Sequence, residues 1–100
     1  MELQPENNIV YIGKKPTMAY VMAMTTQAAA GHPEIFIKAR GRAISKAVDV
    51  LEVSKNMYLK DYKVESIETA TEQRVSKDER TGADFSTNVS TISIKLVKQG

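Results

Sequence analysis

Two short basic segments, each set where a β-strand hands over to a helix, are the features of this 100-residue chain most suited to chemistry. The first is Gly13-Lys14-Lys15-Pro16, which follows Ile9-Val-Tyr-Ile. Two ammonium groups beside the start of a helix join side-chain charge to backbone N–H groups that have no partner within the helix, which suits a phosphate. A solvated turn that happens to be basic has the same composition. The string is not GxxxxGK[ST], so it is no nucleotide-triphosphate loop. The second segment, Lys38-Ala-Arg-Gly-Arg-Ala-Ile-Ser-Lys46, holds four cations in nine residues and no acid. Arginine forks at Arg40 and Arg42 match phosphate oxygens, and Gly41 admits a ligand close to the backbone. A third group, Arg74, Lys77 and Arg80, lies in a polar stretch whose charge Asp78, Glu79 and Asp84 dilute. Such an arm can enter a minor groove, or simply be a solvated loop.

Six elements have to position these residues. Asn8–Gly13 is β-branched and aromatic and predicts a strand. A helix follows from about Pro16 to Ala30, stopped by Gly31 and Pro33. Glu34–Ala39 predicts a second strand and Ala43–Met57 a second helix. From about Lys63, apolar and polar residues alternate, with Glu65, Ile67, Thr69, Thr71 and Val75 on one side. The final strand spans Thr87–Lys98, and Ser76–Ser86 is a polar connection whose tip projects into solvent. The order β-α-β-α-β-β predicts an α+β fold: a four-stranded mixed sheet, two helices on one face and a long projecting hairpin, as a single domain over residues 1–100. The two basic segments follow neighbouring strands, so they should share one end of the sheet. In the second helix, Ile44, Ala47, Val48, Leu51 and Tyr58 form one apolar stripe. A narrower one, Val50, Val53 and Met57, calls for a further partner and hence a dimer.

Composition narrows the field. Net charge is only +2, yet between Ile9 and Lys46 six cations face one acid, Glu34. The rest of the chain is balanced to slightly acidic, and such asymmetry suits a polyanion. There is no cysteine and one histidine, His32, which excludes thiolate and multi-histidine metal sites. The leading MELQPENN is no export signal, and the longest mostly apolar stretch, Met18–Ala30, is too short to span a bilayer. The expectation is a soluble cytoplasmic protein. Met18, Met22 and Met24 read as core filler. The six aromatics show no interleaving with basic residues, which argues against a stacking platform. Glu65, Glu68 and Glu72 keep open a lesser alternative, a Mg²⁺-dependent nuclease.

At its basic segments the chain resembles the Alba family of archaeal chromatin proteins. Ile12-Gly-Lys-Lys-Pro16 with Met18 and Tyr20-Val21 is similar to the family's first motif, Ile37–Asp49 to its signature segment, and Val89–Ile94 to its final strand. The resemblance implies a fold like the C-terminal domain of bacterial translation initiation factor three and a non-enzymatic, cofactor-free protein. It implies a homodimer, or a heterodimer with a paralogue, that coats and compacts double-stranded DNA with little sequence preference and also binds RNA. An RNA-first role, as a ribonucleoprotein subunit or RNA chaperone, is the alternative. Carried over, Lys14, Lys15, Arg40 and Arg42 meet nucleic acid at the body, where Lys46 of the second basic segment is expected to join them, and Arg74, Lys77 and Arg80 meet it along the hairpin. Lys14 is the acetylation position, which implies an acetylase and deacetylase as partners. Tyr58 stands where the family often has Phe, packing one dimer on the next. The resemblance also implies a chromosome-associated protein.

Overall fold

The computed structural model describes residues 8–99, so most of the leading MELQPENN stretch lies outside the described residues. The elements run β1 (Ile9–Tyr11), α1 (Thr17–Ala29), β2 (Glu34–Arg40), α2 (Ala43–Met57), β3 (Tyr62–Lys77) and β4 (Asp84–Lys98). The strands form one sheet in the order β1-β2-β4-β3. β1 lies parallel to β2, while β4 pairs antiparallel with both β2 and β3. This is the expected α+β architecture.

Alternation in β2 and β4 decides which face is covered. Ile35, Ile37 and Ala39 pair directly with Leu96, Ile94 and Ile92, and all six are buried. Residues directly opposite each other share a face, so these form the floor on which the helices pack. Val21 and Met24 from α1, and Ala47, Val50 and Leu51 from α2, close the core over them. The opposite, open face carries Phe36, Lys38 and Arg40 against Lys95, Ser93 and Thr91.

The buried stripe of α2 is rotated from the sequence expectation. Ala47, Val50, Leu51 and Ser54 are buried, whereas Val48 and Tyr58 are exposed. Val50, assigned above to a second stripe, is wholly in the core, and only Met57 of that set is largely exposed. Both stripes fit helical spacing; contact with the sheet selects the one that includes small Ser54. Met18 and Met22 are also exposed, leaving Met24 alone of the three methionines in the core.

β3 departs from simple alternation at Glu65. A bulge between Val64 and Ser66 takes Glu65 out of the ladder, so it does not share a side with Ile67. Its carboxylate instead lies 3.6 Å from Lys95 Nζ. Beyond Arg40, which pairs with Thr91, the β3–β4 ladder continues alone to Lys77 and Asp84. The connection is thus shorter than Ser76–Ser86. Asp78 shapes it, its Oδ1 accepting the Arg80 N–H at 2.8 Å and its backbone N–H donating to Ala83 O. The arm gives the molecule its 55 × 33 × 23 Å extents.

Two buried hydroxyls behave differently. Tyr62 donates to the backbone carbonyl of His32, tying the start of β3 to the α1–β2 loop. Ser54 Oγ is buried without a hydrogen-bond partner. Ser54→Ala should therefore leave stability unchanged or raise it, whereas Ile94→Ala at the floor should lower it by about 2–5 kcal/mol in urea denaturation. Burial first, and then the neighbouring Asp61 carboxylate, push the Tyr62 phenol above its ordinary value of 10.0. Above that ordinary value the unfolded chain ionises before the folded one, so stability is full below it and declines as pH rises toward the folded value. Tyr62→Phe should flatten that alkaline decline in pH-dependent melting.

Candidate nucleic-acid interface

The turn between β1 and α1 is fastened from two sides. Tyr20, buried in the first turns of α1, accepts the N–H of Gly13 at 2.8 Å and that of Lys15 at 3.0 Å on its hydroxyl oxygen. Gly13 suits this place, since a Cβ would lie 3.2 Å from that oxygen and crowd it. From α2, Lys46 Nζ donates to Lys15 O at 2.6 Å and to Gly13 O at 3.3 Å. The sequence suggested free amides at this junction, but those of Gly13 and Lys15 are occupied. Lys46 is directed at the turn itself. Lys14 and Lys15 remain exposed on a backbone that can move little.

The β2–α2 junction is built around Gly41, whose φ of +60° is costly for a residue with a Cβ. Its N–H donates to Ser90 O on β4 at 2.8 Å. Gly41 therefore serves backbone geometry. Arg42 occupies the N-cap position of α2, and neither helix has a side-chain cap or an acid in its first turn. Negative charge stabilises a helix N-terminus by about 0.3–1 kcal/mol, so cations there work against it. An anion seated among them relieves both.

Parallel pairing of β1 with β2 brings the two junctions to the same end of the sheet, as expected. They line one shallow cleft, which includes Lys14, Arg40, Arg42 and Lys46. Arg40 Nη1 is 3.1 Å from Glu72 Oε1 on β3, and both side chains are more than half exposed. An exposed pair of this kind is worth about 0–1 kcal/mol and yields readily to a competing anion. The arm leaves from this same end.

The hairpin cations do not join the cleft. Arg74 pairs with Thr87 on the open face of the arm, the face of Arg40. Lys77 falls on the other face and is matched to Asp84 at 3.3 Å. Arg80 sits in the tip, and Tyr58 caps the far end of α2. Glu65 and Glu72 are engaged with Lys95 and Arg40, and among the described residues no three His, Cys, Asp or Glu side chains gather to hold a metal ion.

Spacing did not reveal the role of Tyr20, since only the packed helix brings its hydroxyl under the turn. It also concealed an aromatic and basic group on the open face. Tyr11 pairs with Lys38, and the Lys38 and Lys95 ammonium groups each lie 5.9 Å from the Phe36 ring centroid. These residues are distant in sequence and adjacent only through strand register.

Tyr20→Phe should remove the acceptor for two amides at once. Stability should fall by about 1–3 kcal/mol, and the Gly13 and Lys15 amides should exchange with solvent faster. Unchanged exchange at both would show that the hydroxyl does not hold the turn.

Residues 8–71 match the family model described as Alba. The chain is 45% identical over 93 residues to the DNA/RNA-binding protein Alba of Methanocella arvoryzae, covering 92% of this chain and 91% of the relative. It is 46% identical over 92 residues to the DNA/RNA-binding protein Alba 1 of Archaeoglobus fulgidus, covering 92% and 97%. Among solved structures, Alba from Thermoplasma volcanium superposes with a TM-score of 0.78 at 47% identity, over 91% of this chain and 100% of that one. An Alba protein of Trypanosoma brucei shares the fold, with a TM-score of 0.70 at 24% identity over 93% and 70%. With its paired lysines, its arginine-flanked Gly41 and its two-stranded arm at one end of the sheet, the chain belongs to the Alba family.

Proposed function

We propose that this protein binds double-stranded DNA, and RNA as well, through the phosphate backbone and without sequence preference, and that it coats and compacts the polymer without catalysing a reaction on it. The observation that carries this reading is the cleft in which Lys14, Arg40 and Arg42 meet beside the uncapped N-terminus of α2. The names of the archaeal relatives, DNA/RNA-binding proteins, point the same way. Arg74 and Arg80 extend the contact along the arm. Phosphate contacts position a protein without reading bases, so sequence indifference follows from the chemistry.

The working unit is a dimer, of this chain with itself or with a paralogue. Met57, Ile67 and Val48 support this, being large apolar side chains left exposed beside the core. Tyr58, also exposed, packs one dimer against the next. Lys14 stands on its rigid turn open to an acetylase and a deacetylase, and loss of its charge loosens the grip. No helix among the described residues is long and apolar enough to cross a membrane. The protein acts on the chromosome in the cytoplasm.

Binding to a long duplex across a salt series should give a log–log slope of roughly −4 to −7, for about four to eight phosphates neutralised per dimer. Lys14→Gln should reduce the slope by about one per substituted protomer, hence by about two in a homodimer. Lys46→Met should weaken binding with the slope kept, because its ammonium group shapes the turn rather than meeting a phosphate. A flat salt response in the native protein would overturn the reading. Equal slope losses in both variants would place Lys46 among the phosphate contacts.

A further inference from the structure

A second recess opens on the uncovered face of the sheet, beside the basic cleft and sharing Arg40 and Ile12 with it. Its volume is about 310 Å³, at the small end of the range for ligand pockets. Tyr11, Lys38, Arg40, Glu72, Thr91 and Ser93 line it. We propose that this recess takes one unpaired base of a nucleic acid whose backbone lies in the neighbouring cleft, with Tyr11 as its stacking surface. The inference rests on the nucleic-acid reading above and goes beyond it, from the duplex backbone to a flipped or bulged nucleotide.

The wall chemistry selects a base over a phosphate. Glu72 presents a carboxylate, 3.1 Å from Arg40 in the free protein, which repels a phosphate but accepts from an amino group on a base edge, such as cytosine N4. Thr91 Oγ1 is oriented by its bond to Ala70 O at 3.3 Å. Its oxygen and that of Ser93 can accept from a base edge. Lys38, placed over Phe36, supplies an ammonium group at the rim. Tyr11 is 62% exposed although it lies in a strand, with its ring uncovered by either helix. A large exposed aromatic flanked by Lys38 and Arg40 is the arrangement that stacks on a base face.

Charge along the face sets the direction of the polymer. The β1–β2 side is aromatic and basic, while β3 carries Glu65, Glu68 and Glu72. A backbone running over β3 is therefore disfavoured. Phosphates stay at the edge, near Lys14 and Arg42, and only a base turns inward.

The test compares two RNA hairpins, one fully paired and one with a single bulged cytidine, titrated with the native protein and with Tyr11→Leu. Stacking on one aromatic is worth about 5- to 150-fold in affinity. The native protein should prefer the bulged RNA by about tenfold, and Tyr11→Leu should lose that preference while keeping its affinity for the paired hairpin and its melting temperature. Exchanging the bulged cytidine for uridine should weaken binding to the native protein and leave Glu72→Gln less discriminating. Equal affinity of the native protein for both hairpins overturns this inference and leaves the backbone reading standing. A Tyr11→Leu variant that weakens on both RNAs alike also overturns it. Failure of both hairpins to bind at low salt overturns this inference and the RNA part of the reading above, and failure of a duplex DNA of the same length as well overturns both readings.

Discussion

The four hydrogen bonds that hold the Gly13–Lys15 turn are the constraint on which the basic end of the molecule depends. Tyr20 takes two of the turn's amides from inside, and Lys46 takes two of its carbonyls from the neighbouring helix. A turn carrying two adjacent lysines would otherwise splay, since like charges repel and exposed backbone gains entropy by moving. Here its shape is fixed without using the charge of Lys14 or Lys15. The same bonds join α2 to the β1–α1 connection, so the two basic junctions keep a set distance. Gly41, bonded to Ser90, adds the base of the arm to this unit.

Electrostatics at this end run against what either helix would choose alone. Uncapped N-termini, no acid in either first turn, and cations gathered close by are locally unfavourable. The hydrophobic floor of Ile35, Ile37, Ile94 and Leu96 supplies the stability that lets such an end persist. Local conflict of this sort, on a chain whose sheet floor is packed without conflict, is characteristic of a binding surface. The carboxylate of Glu72 moderates it, holding one arginine in the free protein through an exposed bond that is easily exchanged.

Much of this is legible in the sequence. The strands and helices announced themselves through β-branched runs, Pro16, Gly31 and the alternation that begins near Lys63. The basic junctions were visible because their residues are contiguous. What stayed hidden depends on register and rotation. Two stripes of α2 satisfied helical spacing, and only packing on the sheet told Val50 from Val48. The bulge at Glu65 shifts sidedness without any glycine to mark it. Tyr11, Lys38 and Glu72 come together from three strands, so no linear pattern could reveal them.

The arm has a mechanical side. β3 and β4 are not appended to the body; the same two strands form half of its sheet and then continue beyond Arg40 and Thr91. The ladder runs unbroken from the body into the arm, so no gap in strand pairing marks its root. A load applied near Thr81 is carried as bending along the ribbon to Ser90, and from there through one hydrogen bond to Gly41 and the start of α2. Tension in a polymer lying along the arm would thus be felt as torque at the junction that carries Arg40 and Arg42.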